Sequence, residues 1–367
     1  MSGASVSANV SVLSADVPAD RDRWNAIGGR IDAYYTAEYA SVFSGVEGGL
    51  GYAYLVEDLS GNQILYPFVR RDLSQLQHIG LEGQGLFDIV TPYGYGGPAF
   101  VGADYRRDEM MGEFRRSFSH YCSREGIVSE FVRYHPLIRN YLYESEDVDI
   151  APIRTTIVMI PEADEQTVMS RLPSKTRNMV RRAANGGVTV RFTLSPVDEE
   201  LQTFMRLYSD TMNRRNAEGY YLFPVAMIKQ MFESMSGSIG LFTAHATDGS
   251  PVSSAIILQG GPFIHYHLSG SDPTLMPPGT NNLLLMKAAV WGASVGATEF
   301  HLGGGYSEGD SLFKFKASMS SETRVFAIGR VIHDPTNYER LSKLTSDRLG
   351  RPSTNSAGFF PAYRPGR

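Results

Sequence analysis

The sequence predicts an α/β (α+β) protein of two domains in tandem, each a mixed sheet flanked by helices. Three observations predict it. The 367 residues are 42% hydrophobic and 20% charged, which is globular composition with apolar material for two cores. A β-hairpin leading to a further strand, a Gly/Pro-rich loop, a long helix and another strand occurs once in each half, and a repeated unit of this size fixes architecture more firmly than a single element. The second half also opens on a strand and paired helices ahead of its hairpin.

In the first copy, Ala53 to Val69 reads as two strands around an Asp-Leu-Ser-Gly turn. FDIVTPYGYGGP follows, then a helix around Tyr105 to Arg124 and a strand ending at Phe131. The second half begins with a strand at Ile153 to Ile160 and a helical stretch from Asp164 to Ala184, broken near Pro173 because proline cannot continue a helix. VTVRFT is a strand, and Asp198 to Asn216 and Pro224 to Met235 are helices. Leu241 to Leu258 is the second hairpin, with Asp248-Gly249 supplying the positive φ angles of a tight turn. A strand at Tyr266, a helix over Asn281 to Val295, a strand ending at Phe300 and a last strand over Arg324 to His333 complete the order. Glycine after each long helix is the expected C-cap. The domains are expected at 1–150 and 151–333, with 334–367 packing back on the first.

Composition excludes several classes. A net charge of −5 argues against a chain that coats nucleic acid with its whole surface, and no DNA partner is expected, although a local basic patch is allowed. The longest nearly apolar stretch, Leu283 to Trp291, is interrupted by Lys287 and is far too short for a membrane span. The first twenty residues offer no basic head before an apolar run, so a cytoplasmic location is expected. One cysteine, Cys122, allows neither an intramolecular disulfide nor a multi-cysteine metal site.

Four segments carry a resemblance: PYGYGGP at Pro92 to Pro98, SRLPSKTRNMVRRAANGGVTV at Ser170 to Val190, IHYHLSGS at Ile264 to Ser271, and EFHLGGGYSEGDSLFKFKASMS at Glu299 to Ser320. With the order of elements, they make the sequence resemble the Fem family of aminoacyltransferases, which have two GNAT-like domains. The resemblance implies amide formation from an activated acyl donor: aminoacyl-tRNA as co-substrate, no other cofactor, and an amine of a peptidoglycan precursor or small peptide natural product as acceptor. Nothing between Asp198 and Gly240 sustains heptads, so the coiled-coil arm of some members is not expected and the compact, FemX-like arrangement is. Tyr34 to Ser44 has no lysine where FemX-type proteins carry one, which points to a different acceptor.

Lys316 is the candidate for the cationic role in catalysis, because Phe315-Lys316 matches the family's Phe-Lys pair; otherwise it is a solvated helix lysine. Gly303, Gly304 and Tyr306 beside it are substrate-binding candidates, as is Tyr266, near the position of a family active-site tyrosine. His265 and His267 share a strand face, but two histidines without a third ligand do not make a zinc site, and no metal is expected. In the first domain, Asp88, Tyr93 and Tyr95 either line the acceptor groove or belong to a plain turn. His135 either takes a proton from the amine or is a hydrogen-bonded histidine at a strand edge.

Lys175, Arg177, Arg181 and Arg182, with Arg171, form a basic cluster in which 177 and 181 are one helical turn apart. It either grips a tRNA or nucleotide phosphate or is a solvated face. Arg214 and Arg215, near Tyr208 and Tyr220-Tyr221, either stack on a terminal adenosine or complement a helix dipole. Before the long helix of the second half, PPGTNN keeps one glycine where coenzyme A enzymes of this fold carry several, which weakens an acyl-CoA donor. A CoA-dependent N-acyltransferase and a non-catalytic binding module on a decayed transferase fold are the alternatives.

Overall fold

A computed structural model of the chain describes residues 8–216, 219–307, 309–350 and 359–364. In chain order the main elements are β1 (Ala8–Ser14), α1 (Pro18–Ile31), α2 (Ala37–Glu47), β2 (Leu50–Asp58), β3 (Gln63–Asp72), β4 (Phe87–Val90), β5 (Ala99–Val101), α3 (Arg107–Arg124), β6 (Ile127–Arg133), β7 (Asp149–Met159), α4 (Glu165–Arg171), α5 (Ser174–Asn185), β8 (Thr189–Thr193), α6 (Asp198–Arg214), α7 (Val225–Ser234), β9 (Ile239–His245), β10 (Pro251–Gly260), β11 (Phe263–Ser271), α8 (Thr280–Ser294), β12 (Glu299–Gly303), α9 (Ser311–Ala317), β13 (Glu322–Ile332) and α10 (Pro335–Leu349). No helix among the described residues is long and apolar enough to cross a membrane.

The chain forms two compact units, one of residues 1–153 and 326–367 and the other of Arg154–Val325, so it changes unit inside β7 and again inside β13. In the first unit the strands run β1-β2-β3-β4-β6-β13, with β5 on β3; the β4/β6 pair is parallel and the others antiparallel. Asp58 holds the β2–β3 turn by accepting from the Ser60 and Asn62 backbone N–H groups and from the Asn62 amide. Met110, Phe114, Phe118 and Cys122 of α3 are buried in the core with Tyr54, Tyr66 and Phe68 of the hairpin.

The second unit runs β8-β9-β10-β11-β12-β7, antiparallel except for β11/β12. Its hairpin turns on Asp248, which accepts from the Ser250 N–H and hydroxyl, and on Gly249 at φ 85°. Helix α8 is apolar on nearly every side, with Leu283, Leu284, Leu285, Met286, Ala288 and Ala289 in the core, as expected of a helix covered all round. Pro173 separates α4 from α5. Helix α6 lies directly on β11 because Gly270 has no side chain: a Cβ there would stand 2.3 Å from the Leu207 carbonyl carbon and the Tyr208 nitrogen.

Two features of the second sheet position the site. Strands β11 and β12 pair only from Phe263–Glu299 to His265–His301, so beyond His265 the parallel ladder ends and the strands part. On its other edge β11 carries a bulge against β10, where the register passes from Leu268 to Tyr266 and leaves His267 as the extra residue.

Replacing Gly270 by alanine is expected to destabilise the protein by about 1–3 kcal/mol, since the obstructing atoms are backbone rather than a mobile side-chain tip. Gly112→Ala, in helix α3 with only the Arg116 guanidinium 3.5 Å away, should be neutral or stabilising. Denaturant unfolding of both variants checks this; equal midpoints would contradict the close approach of α6 to β11.

Candidate functional site

The loop after β12 is folded by one carboxylate. Asp310 caps α9, one oxygen accepting from the Phe313 N–H at 2.7 Å, while the other accepts from the Tyr306 N–H at 2.7 Å and the Ser307 N–H at 3.1 Å. A Cβ on Gly305 would come within 2.2 Å of that carboxylate, so only glycine lets the loop close on it. From the last turn of α9, Lys316 reaches back and its Nζ donates to the Gly304 carbonyl at 2.7 Å. Lys316 is 8% exposed, its Nζ is 5.9 Å from the centre of the Tyr266 ring, and no carboxylate among the described residues pairs with it.

This surrounding sets the chemistry of the amine. Burial penalises the ammonium and pulls its pKa down to about 7; Arg215 and Arg154 push the same way, and Asp310 opposes them. An amine with that pKa is present both protonated and neutral near neutral pH, the condition for giving and regaining a proton during a reaction. The Arg154 guanidinium donates to the Gly305 carbonyl at 2.6 Å and fixes the loop from below. Gly303, at φ 75°, takes a left-handed turn at the end of β12. Tyr266 stands just past the point where β11 and β12 part, its ring packed on the core and its phenol pushed above the usual range by burial. Lys316, Tyr266, Gly303 and Gly304 are thus brought together.

At the loop's outer side Tyr306 is 49% exposed. The Arg215 guanidinium carbon stands 5.8 Å above its ring, and Tyr221 meets it edge-on at 6.5 Å. Arg214 does something else: it donates to the Ser271 carbonyl and to Thr211 Oγ1, tying the end of α6 to the end of β11. Tyr208 is a core residue whose hydroxyl donates to the Tyr221 carbonyl. The Phe315 ring packs against the second unit's core. His265 and His301 are buried with ring centres 5.6 Å apart, and burial together with His265 pulls His267 down to about 3, so it is neutral.

The basic cluster on α5 divides. The expectation that Arg177 and Arg181 grip one phosphate is corrected: Arg177 donates to the Met169 and Ser170 carbonyls and so caps the end of α4. Arg171 pairs with Glu162. Lys175, Arg181 and Arg182 are exposed, while Thr176, Val180 and Ala183 face inward. The same helix crowds the start of α8, where a Cβ on Gly279 would be 2.1 Å from the Met179 carbonyl oxygen. The polar side chains there are engaged as well: Thr280 donates to the Pro277 carbonyl, Asn281 accepts from Ser253, and Asn282 contacts the Met319 sulfur.

In the first unit, Asp88 is corrected from a substrate contact to a buried anchor. Burial alone would raise its pKa, but Arg71 at 2.7 Å and Arg364 at 2.6 Å outweigh it and hold the carboxyl below the usual range. Arg364 and its neighbour Tyr363, whose hydroxyl meets Ser129, thereby dock the segment 359–364 on this unit. His135 is fully buried; its Nδ1 accepts from the Ile138 N–H, which leaves Nε2 as the protonated nitrogen 3.3 Å from the Asp32 carboxylate. It is therefore a buried histidine beside the Asp32 carboxylate. Tyr93 stacks on Phe43 at 5.3 Å, and Tyr95 meets Tyr34 at 5.5 Å and Phe326 at 5.4 Å. Asn140 donates to the Gly96 and Pro98 carbonyls, and a Cβ on Gly97 (φ 86°) would meet that amide at 2.8 Å, so these glycines serve packing.

Sequence reasoning missed Asp310, Arg154 and Asp32. Asp310 had a readable signal, an aspartate three residues ahead of Phe313 at the start of a short apolar run, which is an N-cap pattern. Arg154 and Asp32 had none.

Residues 173–316 match the acetyltransferase (GNAT) domain family. Among solved structures the chain is similar to FemX, with a TM-score of 0.67 and 13% identity over 90% of this chain and 99% of that one. It is also similar to L-PGS from Bacillus licheniformis, with a TM-score of 0.56 and 13% identity over 93% of this chain and 99% of that one. A third likeness is to the C-terminal domain of a putative lysylphosphatidylglycerol synthetase from Agrobacterium fabrum, with a TM-score of 0.52 and 12% identity over 87% of this chain and 93% of that one. No curated protein matches. The fold is thus FemX-like, of two GNAT-like domains, and among the described residues the stretch 198–240 holds α6, a short turn of helix and α7 rather than a coiled-coil arm.

Two predictions follow the electrostatics. Since the folded protein holds Lys316 near 7 against 10.5 for a free lysine, the unfolded chain binds the extra proton between those values and stability rises with pH across that window. Lys316→Met should therefore be more stable than wild type at pH 6, with the gain shrinking towards pH 10, and the lysine carbon resonances should titrate with a midpoint near 7; a midpoint above 9.5 would contradict the burial. For Asp88 the sign is opposite: the ion pairs stabilise above the ordinary carboxylate range and lose effect as pH falls below it. Arg71→Met should cost about 3–5 kcal/mol at pH 7, measured by denaturant unfolding, and clearly less at pH 3.

Proposed function

We propose that this chain is a Fem-like aminoacyltransferase, forming an amide by moving an aminoacyl group from aminoacyl-tRNA to an amine of a peptidoglycan precursor or small peptide. The observation that carries this reading is Lys316, held on the Gly304 carbonyl beside Tyr266 where β11 and β12 part, with a pKa near 7. That opening is where this reading puts the acyl donor.

The reaction needs a neutral amine near the ester carbonyl, stabilisation of the tetrahedral oxyanion, and a proton for the leaving ribose oxygen. Protonated Lys316 offers positive charge to the oxyanion in a site of low water content, where such charge counts for more than it does in solution. The attacking amine forms the new C–N bond and the C–O bond to the ribose breaks. The ribose oxygen takes a proton from Lys316, which recovers one from the nitrogen that has just become an amide. A lysine at its ordinary pKa would hold its proton too tightly for that exchange.

The choice of tRNA rests on two features. The start of α8, where a coenzyme A enzyme of this fold cradles the diphosphate, has one glycine with the Met179 carbonyl against it and its polar side chains engaged. The exposed Lys175, Arg181 and Arg182 offer charge for an acceptor-stem backbone. Such a donor exists in the cytoplasm, the location this reading assigns. The second reading, a CoA-dependent N-acyltransferase, is favoured by the acetyltransferase description of the family that matches 173–316.

Incubation with charged tRNA or acyl-CoA and a panel of amines, with product mass measured with and without ribonuclease, separates the two. Transfer from charged tRNA that ribonuclease abolishes is the expected outcome; ribonuclease-insensitive transfer from acyl-CoA would overturn it. Lys316→Met should slow transfer at least about tenfold, roughly 1.4 kcal/mol in the barrier, with the fold intact. An unchanged rate would remove the lysine from the mechanism.

A further inference from the structure

We propose that Tyr306 is a stacking platform for the adenine of the donor's 3′-terminal adenosine, with Arg215 beside it for the phosphate of that nucleotide. The inference rests on the aminoacyl-tRNA reading and adds to it the part of the tRNA that the second unit holds and the residue that holds it.

The argument begins with exposure. Tyr306 is half-exposed, and its own backbone N–H and that of Ser307 are held by the Asp310 carboxylate. Arg215 lies against its ring, and Tyr221 meets it edge-on. Among the described residues Arg215 makes no ion pair, although it is exposed at the end of α6 and is felt electrostatically by both Tyr306 and Lys316. An aromatic ring with a guanidinium over one face keeps its other face for a base and brings charge for a phosphate.

Distance then selects the ligand. Tyr306 follows Gly304 by two residues, so their Cα atoms are at most about 7 Å apart, and the Gly304 carbonyl is where Lys316 is anchored. We place a base on Tyr306 near the acyl carbon, because both then lie at the one loop that anchors Lys316. In an aminoacyl-tRNA the ester and the adenine hang from one ribose and satisfy this spacing. In acyl-CoA an extended pantetheine arm and a diphosphate separate adenine from the thioester, and they do not. The adenine is common to both donors; its place next to the reacting carbon belongs to one.

Binding of 3′-alanylamino-3′-deoxyadenosine, a stable amide in place of the ester, to the full chain tests this by calorimetry, alongside the same probe without its base and coenzyme A. A base stacked on an aromatic ring loses affinity when the ring is removed, so Tyr306→Ala should weaken the adenosine probe at least fivefold while leaving the baseless probe unchanged. Tyr306→Trp should bind within twofold of wild type. With charged tRNA, Tyr306→Ala should raise KM and keep kcat, and a melting curve unchanged from wild type excludes loss of the fold. Equal affinity of wild type and Tyr306→Ala for the adenosine probe, with tRNA-dependent transfer intact, overturns the stacking role and leaves the proposed function standing. Coenzyme A that binds through Tyr306 while the adenosine probe does not bind overturns both.

Discussion

Placing an amine inside a protein with only a carbonyl oxygen to receive it is the constraint from which the second unit's site follows. The Lys316 ammonium is desolvated, no carboxylate among the described residues pairs with it, and the nearby charge of Asp310 offsets the burial only in part, so its charge is held weakly. Three elements keep it there. Asp310 folds the loop that carries the Gly304 carbonyl, Arg154 braces the next carbonyl, and the core beneath Phe315 fixes the helix. Supplying a counter-ion would stabilise the lysine and return its pKa to the ordinary range, at the expense of its reactivity. Destabilisation stored at one residue and supported by its surroundings is a common property of reactive sites.

Local patterns were legible in the sequence. Both hairpins are where alternation and turn residues put them, the helix break falls at Pro173, and within the Gly-Gly-Gly to Phe-Lys segment Lys316 meets the Gly304 carbonyl. The order of elements led to the fold class, which the likeness to FemX supports. Helices α1 and α2 and strand β1 were not read, since the first fifty residues carry short, weakly periodic elements.

What escaped notice depends on contacts between residues far apart in sequence. Asp88 looked like a loop carboxylate available to a ligand because Arg364, which occupies it, lies 276 positions away. Arg177 looked like half of a phosphate grip because charge spacing on a helix does not tell whether a carbonyl of the preceding helix has already taken the guanidinium. The depressed pKa of Lys316 could not be read at all: desolvation belongs to the folded surroundings, and a lysine in a seven-residue helix is ordinarily a surface residue.

The division of the chain between the units has a bearing on biosynthesis. The second unit is a continuous run of sequence, whereas the first is interrupted by it and takes back β13, α10 and the segment at 359–364. During translation the second unit can close as soon as β13 begins to emerge. The first must wait, with one sheet edge unfilled and the carboxylate of Asp88 lacking one of its two arginines, until residue 364 has left the ribosome. An open strand edge is adhesive towards other chains, so the half-made first unit is the stage of synthesis at which chaperones would have most to protect.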